Sequence, residues 1–246
     1  IEFRNVSFSY PNTGVQVLKN VSIKIKAGER LSVVGLNGAG KTTTLKLILN
    51  LIRRDSGSVQ LFGLDNIKDE KRIKEDLGVV FDENCFHELF TVLDINRILK
   101  GVYKNWDEAL FFQYMKDFGL TGKKTIKEFS RGMKMKLSIA AALSHHPKLL
   151  LLDEATSGLD PIVRNEILDI FLDFIQDEEH GILFSSHITG DLEKVADYVT
   201  FIHEGNLIFS KSKDELLYDY GILKCGTNDL TKIDSADIVK TKKNTF

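Results

Sequence analysis

A glycine-rich segment that leads into a lysine and a threonine is the part of this sequence best suited to chemistry. It matches the pattern G-x-x-x-x-G-K-[ST], which binds phosphate groups when it joins a strand to a helix; the residues are Gly35, Leu36, Asn37, Gly38, Ala39, Gly40, Lys41 and Thr42, followed by Thr43. Glycines let successive backbone N–H groups surround phosphate oxygens, and the helix N-terminus adds its positive dipole end. Lys41 would reach the β- and γ-phosphates, and Thr42 would bind Mg²⁺. An ordinary glycine-rich turn is the alternative, but the strand before the segment and the helix after it favour a nucleotide phosphate site.

Two neighbouring carboxylates follow an apolar run later in the chain. The run Leu149–Leu152 is too short for a free helix and predicts a buried central strand that ends just before Asp153 and Glu154. Ligands bind at the carboxyl edge of an open α/β sheet. There Asp153 would hold Mg²⁺, directly or through water, and Glu154 would act as general base for an attacking water. Alone, the pair could be a solvated cap or turn; the phosphate segment upstream favours catalysis.

The hydrophobic pattern predicts strands and helices that alternate along the chain. The predicted strands are Ile1–Tyr10, Val21–Ile25, Leu31–Val34, Ser58–Phe62, Leu77–Phe81, Leu149–Leu152, 181–186 and 198–202. The predicted helices are Thr43–Ile52, a helical region from about Glu83 to His146, 162–178, 189–196 and Lys213–Tyr220. Such alternation predicts a mainly parallel sheet with helices on its faces.

Composition and charge exclude several classes of protein. The 246 residues, 43% of them hydrophobic, suffice for one large α/β domain or a domain with an inserted subdomain. The 33 Lys and Arg residues nearly balance the 35 Asp and Glu residues, so no positive field indicates a nucleic-acid partner. No uncharged apolar run approaches the roughly 18 residues of a membrane-spanning helix. Two cysteines are too few for a disulfide framework and fit a reducing cytosol.

Seven segments, taken in order, resemble the nucleotide-binding subunit of an ATP-binding cassette (ABC) transporter. They are Tyr10, the phosphate loop (residues 35–42), Phe81-Asp82, Phe129–Met133, Leu149–Glu154, Ser157–Asp160 and Ser186-His187. The resemblance covers about residues 1–215 and rests on the order and spacing of the segments. The stretch Ser130-Arg131-Gly132-Met133-Lys134-Met135-Lys136 is similar to a bacterial exporter-type (ABC-2) subgroup.

The resemblance implies roles for two residues that their surroundings alone would not reveal. Tyr10 would stack on adenine, and His187 would hydrogen-bond the γ-phosphate and orient the attacking water. From the pattern alone, Tyr10 could be a half-buried strand residue and His187 a structural histidine. Asp160 would belong to the family's D-loop.

The signature motif and the residue before the helical region depart from the family pattern. Ser130 and Gly132 match a motif that contacts ATP held by a second subunit, whereas Arg131 replaces a glycine and Met133 replaces a glutamine. Without the family, Ser130 could simply cap a helix. Asp82 stands where the family has glutamine, and we expect it to bind Mg²⁺ together with Thr42 and Asp153; the alternative is that Asp82 points into solvent and Glu83 or a water takes the metal position. The added charge of Asp82 predicts a steep Mg²⁺ dependence of ATP binding.

The resemblance implies an α/β fold: a P-loop NTPase core with a mainly parallel sheet, an N-terminal antiparallel β subdomain and an inserted α-helical subdomain. The whole chain, 1–246, would be a single ABC ATPase domain. Residues 1–82 and 147–215 would form the ATP-binding core with the β subdomain. Residues from about 83 to 146 would form the helical insert with the signature, and about 216–246 a C-terminal tail.

The implied function is hydrolysis of ATP, with Mg²⁺, to power transport by a separate membrane permease, and the subgroup indicates export. Two such subunits, identical or different, would meet head to tail across two ATP molecules, peripherally at the cytoplasmic face of the cell membrane. The alternative is a soluble cassette ATPase acting in DNA repair, translation or iron–sulfur assembly. The lack of sustained heptads and the single cassette disfavour the first two of these roles. Glu154 and His187 disfavour a nucleotide sensor that does not hydrolyse, and nothing in the sequence indicates the cargo.

Overall fold

The computed structural model describes residues 1–11, 14–120, 124–221, 223–226 and 234. Its strands are β1 (Glu2–Ser9), β2 (Gln16–Lys24), β3 (Arg30–Val34), β4 (Ser56–Leu61), β5 (Leu64–Asp65), β6 (Leu77–Val80), β7 (Leu149–Asp153), β8 (Gly181–Ser185), β9 (Tyr198–His203) and β10 (Asn206–Ser212). Its helices are α1 (Lys41–Ile48), α2 (Glu70–Glu75), α3 (Val92–Val102), α4 (Glu108–Asp117), α5 (Arg131–Leu143), α6 (Pro161–Phe174), α7 (Thr189–Val195) and α8 (Lys213–Tyr218), and a 3₁₀ turn spans Ile126–Glu128.

The chain divides into two compact units after Lys213. Every residue of the predicted site lies in the first unit, Ile1–Lys213. The predicted C-terminal tail, 216–246, falls mostly outside the described residues. The predicted limits of the core, the insert and the tail therefore stay predictions.

Two sheets form the framework of the first unit. The smaller sheet is antiparallel, in the order β2-β1-β4-β5. The larger sheet has the order β10-β9-β3-β8-β7-β6, and its neighbours are parallel except for β10 and β9. Strands β7 and β8 are buried throughout, as expected for parallel strands covered on both faces. These sheets and the helices between them confirm the predicted α/β fold class.

The strand order brings the predicted site residues to one edge of the larger sheet. Strand β3 leads into the phosphate loop, and its neighbour β8 leads to Ser186-His187. The next strand, β7, ends with Asp153, and β6 beside it leads to Phe81-Asp82. Because parallel strands share their carboxyl edge, four distant segments of the chain meet there.

Two hydrophobic clusters stabilise this arrangement. The first joins both sheets to α1 and includes the buried Val6, Leu47 and Leu149. The second lies among α3, α4 and α5 and includes the buried Phe111 and Met115. The helical region thus has a core of its own, as an inserted subdomain requires. No helix within the described ranges is both long enough and apolar enough to cross a membrane.

The structure differs from the predicted elements mainly where burial is slight. Three elements were not predicted: the two-residue β5, the charged helix α2, of which only Ile73 is buried, and β10, none of whose residues is buried. Elements with so little apolar burial leave a weak periodic signal. Helix α1 begins at Lys41 rather than Thr43 and α6 ends at Phe174. In the predicted helical region the first helix begins only at Val92.

Candidate functional site

The phosphate loop occupies the turn between β3 and α1, and glycine is required at several of its positions. Gly38 and Gly40 have φ angles of 80° and 109°, in the region that side chains disfavour. A Cβ atom on Gly35 would lie 2.3 Å from the Ile202 carbonyl oxygen. Helix α1 then begins at Lys41, so its N-terminal N–H groups face the loop. This geometry is that of an anion-binding helix N-terminus.

Lys41 is almost fully buried, with 6% of its side chain exposed. Its Nζ donates a hydrogen bond of 2.7 Å to the Gly35 carbonyl and lies 3.5 Å from Glu154 Oε1. The lysine therefore sits between the phosphate loop and the predicted general base. A phosphate group placed in the loop would come within reach of this ammonium.

Asp153 is buried beside Thr42 at the end of β7. Its Oδ1 accepts hydrogen bonds from Thr42 Oγ1 at 3.1 Å and from Ser185 Oγ at 2.7 Å. No group of three or more His, Cys, Asp or Glu side chains suited to a metal occurs among the residues that the structure describes. Such a group is not needed, because Mg²⁺ in ATPases is held by one or two protein oxygens, substrate phosphates and water. A hydroxyl and a carboxylate side by side fit that mode of binding.

Glu154 has a backbone conformation that is costly for a residue with a side chain. Its φ angle is 53°, and its N–H donates to Ser185 Oγ at 3.0 Å. Its Oε2 shares a hydrogen bond of 2.6 Å with His187 Nδ1. Strained residues of this kind persist where the surrounding structure fixes them, and they are common at active sites. The structure therefore brings the predicted general base into direct contact with His187, the residue expected to bind the γ-phosphate.

Most of the predicted site residues line one open cleft of about 500 Å³. Its lining comprises Tyr10, Val17, Leu36, Asn37, Gly38, Gly40, Lys41, Thr42, Thr43, Asp82, Glu154, Ser157 and His187. Tyr10 belongs to this lining, with its hydroxyl 3.4 Å from Thr43 Oγ1 and its ring packed edge-on against Phe8. More than a third of Tyr10 is exposed, so its ring is available to a ligand. Nothing tests adenine stacking, which stays a prediction.

The signature residues lie outside this cleft. Ser130 caps α5 by accepting a hydrogen bond of 3.2 Å from the Met133 N–H, and Gly132 faces Val163 of α6. Asp160 caps α6 by accepting from the Ile162 and Val163 N–H groups. None of the signature residues or Asp160, all of which the structure describes, lines the cleft. They do not complete the nucleotide site of their own subunit.

The two residues that depart from the family pattern are ion-paired with each other. The Arg131 guanidinium donates to the Asp82 carboxylate across 49 positions of sequence. Arg131 also lies close to Gly158, where a Cβ atom would be 2.6 Å from Arg131 Nη1. The ion pair sets a positive charge beside the carboxylate that Asp82 would bring to the cleft. A role for Asp82 in binding Mg²⁺ stays a prediction, and the metal would have to share the carboxylate with Arg131.

Sequence reasoning missed Ser185 and Val17 and gave Ser157 no role of its own in the cleft. Ser185 pairs in register with Asp153 and hydrogen-bonds both Asp153 and Glu154, although only its place at the end of a predicted strand pointed to the site. Ser157 lies in the segment that resembles the D-loop. Val17 reaches the cleft because β2 pairs with β1 next to Tyr10, which depends on hairpin register rather than on any motif.

The chain is similar in sequence and in fold to ATP-binding subunits of ABC transporters. A family model described as ABC transporter matches residues 18–157. The ABC transporter ATP-binding protein YtrB of Bacillus subtilis is 32% identical over 220 residues, which cover 89% of this chain and 74% of YtrB. The bacitracin transport ATP-binding protein BcrA of Bacillus licheniformis is 35% identical over 206 residues, which cover 82% of this chain and 65% of BcrA. A solved structure of the ATP-binding subunit of an ABC transporter superimposes with a TM-score of 0.79 at 26% identity, covering 94% of this chain and 97% of that one.

Proposed function

Because this chain belongs to the ABC transporter family and is an ATP-hydrolysing transport subunit, we propose that it powers export through a separate membrane permease. The observation that carries the proposal is the contact between Glu154 and His187 beside Lys41 in one cleft. A protein that only senses nucleotide would not need a base and a polar partner at the place where the γ-phosphate ends.

The geometry supports a defined order of events in the cleft. The phosphate loop binds the phosphates through its N–H groups, and Lys41 turns from the Gly35 carbonyl toward the β- and γ-phosphates. Glu154 accepts a proton from a water molecule as that water attacks the γ-phosphorus. The bond from the γ-phosphorus to the oxygen that bridges to the β-phosphate then breaks, releasing ADP and phosphate. We propose that His187 holds Glu154 in place through the 2.6 Å hydrogen bond and that its other ring nitrogen would hydrogen-bond the γ-phosphate.

We assign Mg²⁺ to the pair formed by Thr42 and Asp153. Mg²⁺ held by this pair together with ATP would supply neutralisation of the phosphate charge. Asp153 is 5% exposed and already accepts hydrogen bonds from two hydroxyl groups, so its carboxylate is held in one orientation. Asp82 is the third candidate ligand, subject to its pairing with Arg131.

A second nucleotide-binding subunit is needed to complete each site. Ser130 and Gly132 begin helix α5 but do not line the cleft of their own chain. A helix that starts with a serine cap can present N–H groups to an anion from another subunit. Two chains facing head to tail would place each signature against the γ-phosphate held by the other. Separation after hydrolysis would then move the helical regions apart.

The permease is proposed to be another polypeptide, with this chain attached at the cytoplasmic face of the membrane. Export is supported by the likeness of the segment Ser130–Lys136 to the exporter-type subgroup and by the transport relatives. The likeness to BcrA supports only a shared ATP-binding architecture. It does not identify the substrate that is transported.

Affinity purification from native membranes tests this proposal. The tagged chain, expressed at its normal level, should be recovered from detergent-solubilised membranes in a fixed ratio with a protein of several membrane spans. The same preparation should hydrolyse ATP. Recovery from the water-soluble fraction with iron–sulfur assembly proteins, and with no membrane partner, would overturn the proposal in favour of the soluble alternative.

A further inference from the structure

A buried carboxylate that belongs to none of the motifs lies just behind the catalytic pair. Asp191, in the first turn of α7, is 1% exposed. Its Oδ2 accepts hydrogen bonds from Thr156 Oγ1 at 2.5 Å and Ser186 Oγ at 3.4 Å. Its Oδ1 accepts from Arg164 Nε at 2.7 Å and pairs with Arg164 Nη2 at 2.5 Å. Burial of a carboxylate is costly unless such donors surround it, so this side chain is held firmly.

Two of the three donor residues come from the segments that carry the catalytic residues. Thr156 follows Glu154 by two positions, and Ser186 directly precedes His187. Arg164 lies in α6, the helix that starts after Asp160. One carboxylate therefore joins the turn after β7, the turn after β8 and the helix that follows the D-loop.

Both catalytic residues need such support. His187 is more than half exposed, so packing contributes little to its position. The turn before it is fixed by Ser186 Oγ, which accepts from the Ile188 N–H at 3.1 Å while donating toward Asp191. Glu154 sits in a left-handed conformation that is unfavourable for a residue with a side chain. The bond from Thr156 to Asp191 holds the turn that keeps Glu154 there.

We infer that Asp191 is a positioning residue, which sets the contact between Glu154 and His187 by tying their two turns together. This inference rests on the proposed hydrolytic function. It assigns to Asp191 no contact with ATP, because Asp191 does not line the cleft. Loss of the tie should therefore slow the chemical step and leave nucleotide affinity unchanged.

The test uses a variant that removes one donor and a matched variant elsewhere. Thr156→Val deletes the hydroxyl that binds Asp191; Thr200→Val deletes a buried hydroxyl in β9 that bonds Ser210 at 2.8 Å, away from the cleft. We expect Thr156→Val to lower kcat by about tenfold to 10²-fold, the scale of a small misplacement of catalytic groups. The Kd for ATP should stay within roughly twofold, and Thr200→Val should change neither quantity beyond that scale. Asp191→Asn should lower kcat further; if it fails to fold, Thr156→Val still decides.

A second measurement separates positioning from general damage. In a Glu154→Gln background, Thr156→Val should cause little additional loss in single-turnover rate, because the group it positions is already gone. A multiplied loss would contradict the inference, as would equal kcat values for Thr156→Val and Thr200→Val. These outcomes are distinct from failure of the proposed function, which would show as wild-type hydrolysis by Glu154→Gln itself.

Discussion

The two sides of the nucleotide cleft are held by different physical forces. On one side, Lys41 and, next to Thr42, Asp153 are 6% and 5% exposed and are hydrogen-bonded to the backbone or to neighbouring hydroxyl groups. On the other side, Asp82 is 43% exposed and is joined by an ion pair to Arg131, which lies outside the cleft and is 51% exposed. Buried, charge-assisted hydrogen bonds are strong and little affected by salt, whereas exposed ion pairs contribute about 0–1 kcal/mol. The residues of the first side are therefore held rigidly for catalysis. The ion pair on the second side is a weaker contact with the helical region, and it can rearrange.

Removal of Lys41 tests the buried side and should have the largest effect on binding. Lys41→Ala deletes charge-assisted hydrogen bonds to the phosphates, each worth about 1.5–3 kcal/mol. We expect the Kd for ATP to rise by about tenfold to 10²-fold. Lys46→Ala, in the same helix but outside the cleft, is the matched control. Unchanged ATP affinity in Lys41→Ala would show that the loop does not bind phosphate.

Substitution of Tyr10 tests whether the cleft recognises the adenine base of ATP. Tyr10→Ala should weaken ATP binding by about 1–2 kcal/mol, the value of one base–aromatic stack. Tyr10→Phe should bind nearly as the wild type does, because stacking needs the ring and the hydroxyl contact to Thr43 is long, at 3.4 Å. Equal affinity of the wild type and Tyr10→Ala, measured by calorimetry, would make Tyr10 a structural residue of β1's end.

The exposed side should show a smaller effect that depends on salt. Without Mg²⁺, Arg131→Ala should weaken ATP binding because it leaves the Asp82 charge uncompensated, and adding Asp82→Asn should restore it. We expect a coupling of about 0.2–1 kcal/mol that shrinks as ionic strength rises. Asp82→Asn alone should make ATP binding less dependent on Mg²⁺. A parallel cycle on Lys134 and Glu88, 3.8 Å apart and outside the cleft, should leave ATP binding unchanged. A coupling that is absent, or insensitive to salt, would contradict the pairing.

The smallest effect concerns how the helical region is attached to the start of β6. His145, after α5, is buried, bonds the Leu77 carbonyl of β6 at 2.9 Å and stacks on Tyr103. Burial lowers the pKa of His145, although hydrogen bonds to backbone carbonyls act in the opposite direction. The folded state therefore holds the neutral ring, so the stability it contributes is present above the ordinary pKa of 6.5 and is lost as the pH falls toward the lowered value.

Urea unfolding at pH 7.5 and pH 5.5 checks whether acidification reduces the stability that His145 contributes. His145→Phe keeps an aromatic ring against Tyr103 but cannot titrate, so its stability should fall less on acidification than that of the wild type. His203→Phe, at an exposed position in β9, should keep the wild-type dependence on pH. Identical pH slopes for His145→Phe and the wild type would exclude His145 as a source of acid sensitivity.

The buried side of the cleft was predictable from sequence because its signals are local. Lys41 follows its glycines directly, and Asp153 follows an apolar run that could only be a central strand, so motif and element coincide. The pairing of Arg131 with Asp82 spans 49 positions and joins two surface residues, and no periodicity indicates such a contact. Asp191 escaped notice for a related reason: an acidic residue in the first turn of a short helix usually faces solvent, and only the packing of α6 and α7 buries it.

The claim that Glu154 is the base of an ATP-hydrolysing site is tested most directly by Glu154→Gln. Steady-state hydrolysis and ATP binding should be measured together on the purified protein, with Glu166→Gln, an exposed change in α6, as the control. We expect Glu154→Gln to lower kcat by at least about 10²-fold, to keep ATP binding and to accumulate an ATP-bound dimer. Hydrolysis by Glu154→Gln at the wild-type rate would contradict the assignment of Glu154 as the base.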